Sequence, residues 1–342
     1  DRRQRQMCIR DRYMSLYHNA LLLVRRARCR LIPDNSFSKI DTDISGADLA
    51  SAKIYEGIKS GKPFMVARYG STELATVVNY LGVKRKKKNP VSYIFHDGLQ
   101  WWWSESLINQ MQRWSGFFPP TPEKIAQFCQ MILDDSHLID ILGCWTYGER
   151  KILPYLEEPE LVHLRCIEPF WSSVPWTKAL NGKKVLVVHP FDTTIKAQYK
   201  RKGLLFDNPD ILPDFATLDV IKAVQSLGEG DSRFSDWFEA LRWMENEIDK
   251  RDYDVCLIGC GAYGLPLAAH VKRRGKQAIH LGGALQLLFG IKGKRWEDPM
   301  YGVKEWRIPQ GSYSSLINEY WVRPDSTDTP KSSIAVEGGC YW

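Results

Sequence analysis

The spacing of apolar positions changes along the chain, and each change marks an element. Between Asp41 and Lys59, Ile44, Leu49, Ile54 and Ile58 recur at helical intervals, and Gly61-Lys62-Pro63 closes the run. Phe64 to Tyr69 (FMVARY) is short and apolar and reads as a buried strand. Gly70 then supplies a turn, and Ser71 is placed to cap a helix over Thr72 to Leu81 that Gly82 closes. Trp101-Trp102-Trp103 leads a predicted helix to Trp114, and Pro122-Glu123 opens another to about Leu133. Leu138 to Leu142 reads as a strand, and Glu157 to Trp176, punctuated by proline, as irregular chain.

From Lys183 the pattern alternates. Lys184 to His189 (KVLVVH) is a predicted strand, followed by a helix over Thr193 to Arg201 with Asp192 as its cap. Ser232 or Ser235 is placed to cap a long amphipathic helix that reaches Lys250. Tyr253 to Ile258 is a strand, Leu265 to Arg274 a helix capped by Gly275, and Gln277 to Leu281 a strand. Gly282-Gly283 starts a last helix to about Phe289. Strands alternating with helices imply an α/β, Rossmann-like parallel sheet flanked by helices, with a more irregular, aromatic-rich N-terminal half. Ligands of such sheets sit at the carboxyl ends of the strands. The expected organisation is an N-terminal helical region over 13–60, an α/β domain over 61–323 whose second half starts at about 183, and a tail over 324–342 that wraps the surface.

Composition refines this picture. With 44% hydrophobic and 25% charged residues the chain is neither disordered nor fibrous. The net charge of +7 allows an anionic partner, but residues 1–12 (DRRQRQMCIRDR) look like a translated adapter and hold five Arg against two Asp. Set aside from the fold, they account for about three of the excess charges. No apolar run approaches the roughly 20 residues that cross a bilayer. Ala20 to Val24 is too short for a signal core, and its basic cluster, Arg25, Arg26, Arg28 and Arg30, follows instead of preceding it. A cytoplasmic protein is expected, its first helix either a plain surface helix or a basic amphipathic one touching the inner face of a membrane. The eight cysteines are scattered without a C-x-x-C pair, which suits free thiols. No nucleic-acid-binding module is present, and nucleic acid is not an expected partner.

Four constellations could carry chemistry. Gly259-Cys260-Gly261-Ala262-Tyr263-Gly264 matches G-x-G-x-x-G between a strand and a helix, where glycines let backbone N–H groups approach a phosphate. The following strand ends in His280-Leu281-Gly282 without the acid that would hold the ribose of NAD, so NAD is not expected. The bland alternative is a tight turn with glycines for packing. In Ala67 to Glu73, Arg68 can fork onto a phosphate, and Glu73 can bind a metal or simply complement the helix dipole. His189-Pro190-Phe191-Asp192-Thr193 also closes a strand, with His189 a base or a phosphate donor and Asp192 a base or a cap. Lys196, Lys200, Arg201 and Lys202 follow it and would help if they faced a pyrophosphate. Last, the basic run from Lys84 to Lys88 lies beside Trp101 to Trp103, as a solvated loop or a contact for lipid headgroups or glycan. His96-Asp97-Gly98 and Lys292 to Trp296 are weaker candidates.

Taken together, these segments resemble the GT-D-type glycosyltransferases. RYGSTE, Arg68 to Glu73, is similar to that family's R-[FY]-G-D-G-E signature, and DVCLIGCGAYGLPLAAHVKRRGKQAIHLGG is similar to its late block. The resemblance spans most of Pro63 to about Trp296. It is closer still to a branch from polysaccharide loci that shares HPF, GCGAYG, HLGG and a GGCYW terminus. It implies a bacterial enzyme that moves a sugar from a nucleotide-diphospho-sugar to a glycan or lipid-linked acceptor. Glu73, His189 and Asp192 would be catalytic. Arg68, Gly70, Ser71, Gly259, Gly261, Gly264, His280 and Gly282 would bind the donor. The family's first acid falls on Ser71, which brings no charge. A divalent metal, Mn or Mg, would therefore rest on Glu73, with Asp97 or Asp192 as a substitute acid. A non-catalytic nucleotide- or glycan-binding protein is the alternative, and an NAD-dependent sugar-modifying enzyme a third reading.

Overall fold

A computed structural model describes residues 2–31, 39–95, 98–226, 231, 233–329 and 339–342, with side chains from residue 16 onward. Helix α1 (Arg2–Leu31) passes through the adapter-like stretch and is followed by α2 (Ala47–Lys59). Then come β1 (Phe64–Ala67), α3 (Ser71–Val83), α4 (Pro90–Phe95), α5 (Glu105–Arg113), α6 (Pro122–Ser136), β2 (Ile141–Cys144), α7 (Glu149–Ile152) and β3 (Glu160–His163). The second half holds β4 (Lys184–His189), α8 (Asp192–Tyr199), β5 (Thr217–Lys222), α9 (Trp237–Asp249), β6 (Val255–Ile258), α10 (Gly264–Arg273) and β7 (Gln277–His280). Three short helices follow: α11 (Leu285–Leu288), α12 (Lys294–Glu297) and α13 (Val303–Trp306).

The seven strands form one sheet in the order β3-β2-β1-β7-β6-β4-β5, and every pairing is parallel. This is the Rossmann-like α/β architecture that the alternation predicts. Both halves of the chain share the sheet, because β1 pairs with β7 through Phe64↔Gln277, Met65↔Ala278 and Val66↔Ile279. Strand side chains alternate between two cores. Met65, Ala67, Leu142, Leu186, Val188, Cys256, Ile258 and Ala278 face the layer of α3, α6, α9 and α10. Val66, Ile141, Val185, Val187, Val255, Leu257 and Ile279 face the layer built by α2, α8, α11 and the C-terminal segments. The period of two puts both faces against apolar cover, so these strands read as continuous apolar runs.

Strands β3 and β5 were not expected. Glu160-Leu161-Val162-His163 and Thr217-Leu218-Asp219-Val220 sit at the two edges, where a strand needs fewer buried positions and the apolar signal weakens. The expected strand at Leu138 to Leu142 shifts to Ile141–Cys144, and the helix expected from Trp101 starts at Glu105, capped by Ser104. The tryptophans before it turn inward. Trp101 is buried with Leu21 and Tyr93, and Trp102 stacks on His18 at 4.1 Å, so this run fastens α1 to the body instead of facing outward. Gly82 lies inside α3, where it lets the helix meet the backbone of Gln100. The tail does not merely wrap the surface. Asp328 is buried and accepts from the Thr194 backbone N–H at 2.9 Å and its hydroxyl at 2.7 Å, and Cys340 is buried as well. Cys129, Cys144, Cys166, Cys256 and Cys260 are free thiols. Among the described residues no helix is long and apolar enough to cross a membrane.

The long amphipathic helix α9 starts later than its serines suggest. Asp236 is the cap: its Oδ1 accepts from the Glu239 N–H at 2.8 Å, while the Glu239 carboxylate accepts from the Ser235 N–H and hydroxyl at 2.6 and 2.7 Å. A carboxylate at the cap satisfies an orphan N–H and the helix dipole together, whereas the serine only returns a bond to Glu239. Asp236→Ala is therefore expected to cost about 1–2 kcal/mol in urea unfolding, and Ser235→Ala no more than about 0.5 kcal/mol.

Candidate functional site

A cavity of about 590 Å³ opens at the carboxyl edge of the sheet. The segment after every strand reaches it: Arg68 to Glu73 after β1, Trp145 after β2, Leu164 after β3, His189 to Phe191 at the end of β4, Val224 to Ser226 after β5, Gly259 to Gly261 after β6, and Gly282-Gly283 after β7. Parallel strands point all their following turns to one side, so the topology itself gathers stretches far apart in sequence. Segments from the C-terminal region close the remaining wall, among them Arg295, Tyr301, Trp306, Tyr341 and Trp342.

Arg68 is the central cation. Its guanidinium lies 4.9 Å from the Trp145 ring centroid and within 3.3–3.6 Å of where a Cβ on Gly282 would sit. Among the described residues it has no hydrogen-bond or ion-pair partner. Trp145 is held in place by its indole N–H, which donates to the Tyr69 carbonyl at 2.9 Å. Gly282 has φ +62, and a side chain there would be strained and would crowd the guanidinium. Glu73 lies on the first turn of α3, half-buried, and its carboxylate folds over Gly70 so closely that a Cβ on Gly70 would fall 1.8 Å from Oε2. It too lacks a hydrogen-bond or ion-pair partner among the described residues. Ser71 is exposed and is the first residue of α3, and Gly70 occupies the cap position instead.

His189 is buried at the cavity wall and packs against Gly259, whose missing side chain leaves room for the ring edge. Its Nδ1 accepts the Phe191 N–H at 3.1 Å. Burial pushes its pKa down to about 3, so the ring is neutral and its proton sits on Nε2. In that state the ring offers its Nε2–H as a donor. Gly261 has φ +58 with open space about its Cα, so the turn after β6 can bring backbone N–H groups to a ligand. Tyr263 holds that turn from behind, stacked on Trp237 at 4.6 Å and sharing a hydrogen bond with the Ser226 hydroxyl at 3.0 Å.

Three expected site residues lie elsewhere. Asp192 does not line the cavity: it opens α8 and is engaged by Lys196 and Lys222, each at 3.3 Å. Gly264 and His280 are also set back from it. The His280 ring fills the space above Gly264, where a Cβ would come 2.1 Å from Cε1, and Nδ1 pairs with the Ile258 carbonyl at 3.2 Å. Both are packing residues, which is the bland reading of that glycine. The basic positions after Asp192 are likewise drawn away. Lys196 pairs with Asp192, Arg201 donates to the Tyr320 carbonyl, and Lys202 pairs with Asp214. Asp97 lies outside the described residues. Among the described residues no three His, Cys, Asp or Glu side chains gather to hold a metal. Glu73 and the Ser71 hydroxyl offer one charged group between them, a poor set for Mg²⁺ or Mn²⁺.

Two buried carboxyls beneath the cavity escaped sequence reasoning. Glu149 accepts from the backbone N–H groups of Trp145 and Thr146, and Glu168 accepts from the Trp171 indole and the Tyr313 hydroxyl, each at 2.7 Å. Burial pushes both pKa values up to about 7, and the charge of Arg68 pulls each back in part. The signal for Glu149 was present: Trp145-Thr146-Tyr147-Gly148-Glu149 follows a strand end, as Arg68 to Glu73 does. Glu168 sits in chain that periodicity leaves unassigned.

No protein-family model, curated protein or solved structure matches this chain.

Gly264→Ala should lower stability by about 1–3 kcal/mol, measured by denaturant unfolding, because backbone and a buried ring meet there. Glu168 titrates near 7 when folded and near 4.5 when unfolded, so its contribution is complete below about 4.5 and is lost as pH rises through 7. The stability of Glu168→Gln relative to the parent is therefore expected to rise between pH 5 and pH 8, and to level off above.

Proposed function

We propose that this chain is a glycosyltransferase of GT-D type, moving a sugar from a nucleotide-diphospho-sugar to a glycan or lipid-linked acceptor in bacterial surface polysaccharide assembly. One observation carries the reading. A single strand-turn-helix, RYGSTE, sets a guanidinium and a carboxylate, both unpaired among the described residues, into one cavity with a glycine turn that has room for a phosphate. Unpaired charges in a half-enclosed site are costly unless a ligand completes them. A cavity of about 590 Å³ suits a ligand of nucleotide-sugar size.

The chemistry follows from the donors and acceptors. The bond from the anomeric carbon to the diphosphate breaks, and charge grows on the leaving oxygen. Arg68, the His189 Nε2–H and the N–H groups of the Gly259–Gly261 turn are the donors available to that charge. A new bond forms between the anomeric carbon and the acceptor oxygen, and the acceptor's proton passes to Glu73 as general base. Trp145, Tyr341 and Trp342 offer aromatic faces for base or sugar rings. The exposed Ser71, in place of a family acid, favours a second reading, a nucleotide-sugar-binding protein without turnover.

UDP- or GDP-sugars are expected to raise the Tm of the purified protein. Arg68→Ala should weaken the best of them by about 10- to 100-fold in titration calorimetry. Glu73→Ala should retain binding and slow transfer by about 100- to 10,000-fold. Binding without transfer in the parent, with or without Mn²⁺, would leave the second reading. Absence of any Tm shift across the sugar nucleotides overturns both.

A further inference from the structure

Helix α1 is fastened to the body by one side. Leu21 is buried against Tyr93 and Trp101, His18 stacks on Trp102, and the Arg25 guanidinium donates to the Gly98 carbonyl at 2.8 Å while lying over Tyr93. The opposite side is uncovered. Leu16, Leu23, Val24 and Leu31 are 61, 64, 48 and 83% exposed, with Ala20 and Ala27 exposed between them. At 3.6 residues per turn these six fall in one stripe along the helix, on the side away from Leu21 and Arg25. Val91 and Phe95 of α4, which packs on the fastened side of α1, are exposed apolar residues as well.

The rim of this stripe carries one sign of charge. Arg26 and Arg30 are exposed beside it, and residues 16–31 contain no Asp or Glu. The exposed run Arg85 to Lys88 adds positive charge from the fastened side of α1, where the charge of Lys88 joins burial in lowering the pKa of His18. Among the described residues, none of these six cations has an acidic partner.

We propose that the outer face of α1, with α4 and the Arg85–Lys88 run, docks on an anionic lipid bilayer. The aliphatic stripe enters the boundary between headgroups and acyl chains, and the flanking cations meet lipid phosphates. A second copy of the chain is a poor occupant, because a two-fold contact would set like-charged rims against each other. Single-stranded nucleic acid seeks rows of exposed aromatic faces, whereas this surface is mainly aliphatic, with Tyr17 and Phe95 its exposed aromatics. The helix would lie on the surface: at 30 residues it has the length to span a bilayer, but its described residues are not apolar enough to cross one. The proposal does not depend on what the cavity binds.

Flotation of the full chain with vesicles tests it. Binding is expected with phosphatidylcholine vesicles containing about 30 mol% phosphatidylglycerol, and not with phosphatidylcholine alone. Added salt should weaken it. The double variant Leu23→Asp/Val24→Asp should lose vesicle binding while keeping the parent's Tm, as both side chains are exposed. Lys86→Glu/Lys87→Glu should weaken it by at least about tenfold, at roughly fivefold for each cation removed. Failure to float with anionic vesicles overturns the proposal, as does equal flotation of parent and Leu23→Asp/Val24→Asp. So does a concentration-dependent dimer in sedimentation velocity that Leu23→Asp/Val24→Asp abolishes without any vesicle binding.

Discussion

The pairing of β1 with β7 is the constraint on which the site depends. Phe64 meets Gln277 and Val66 meets Ile279, so the early strand enters the middle of a sheet otherwise built, on that side, from the late half of the chain. Parallel hydrogen bonding fixes direction as well as neighbourhood, and the turns leaving β1 and β7 therefore emerge side by side. That is why Arg68 lies against Gly282. Without this pairing the guanidinium and the glycine turns would belong to separate surfaces.

Electrostatics around Arg68 depends on what is buried below it. Glu149 and Glu168 are both raised towards neutrality by desolvation, and each is committed to hydrogen bonds of its own. Neither forms an ion pair with Arg68, which rests instead on the face of Trp145. The cation is thereby positioned without being neutralised by a fixed partner. His189 follows the same logic on the other side of the sheet's centre, since burial keeps it uncharged and the Phe191 N–H orients it. The cavity wall is mixed in charge, with Lys39, Arg68 and Arg295 against Glu73, Asp298 and Glu305.

Much of this was legible along the chain. Lys184–His189 matches its expected bounds residue for residue, and Phe64–Ala67, Val255–Ile258 and Gln277–His280 fall within longer expected runs, because burial on both faces makes an unbroken apolar run. Edge strands β3 and β5 were not legible, since their exposed positions interrupt that run. Arg68, Gly70, Ser71, Glu73, His189, Gly259, Gly261 and Gly282 reach the cavity by a rule visible in sequence, residues that follow a strand. Asp192, Gly264 and His280 satisfy the same rule and yet fall behind the wall. Which residue of a turn faces inward is set by its rotation about the chain, which spacing does not encode. Tyr341 and Trp342 come from the opposite case, a distant segment whose only sequence mark is a cluster of aromatics after two glycines.

That terminal pair bears on how the molecule can be handled. The Tyr341 ring packs on Gly283, its carbonyl accepts from Gln286 Nε2 at 3.0 Å, and the Trp342 ring meets Phe191 edge-on at 6.0 Å. Whatever polypeptide is joined after Trp342 begins at the rim of the pocket. An affinity tag placed there becomes part of the cavity's surroundings.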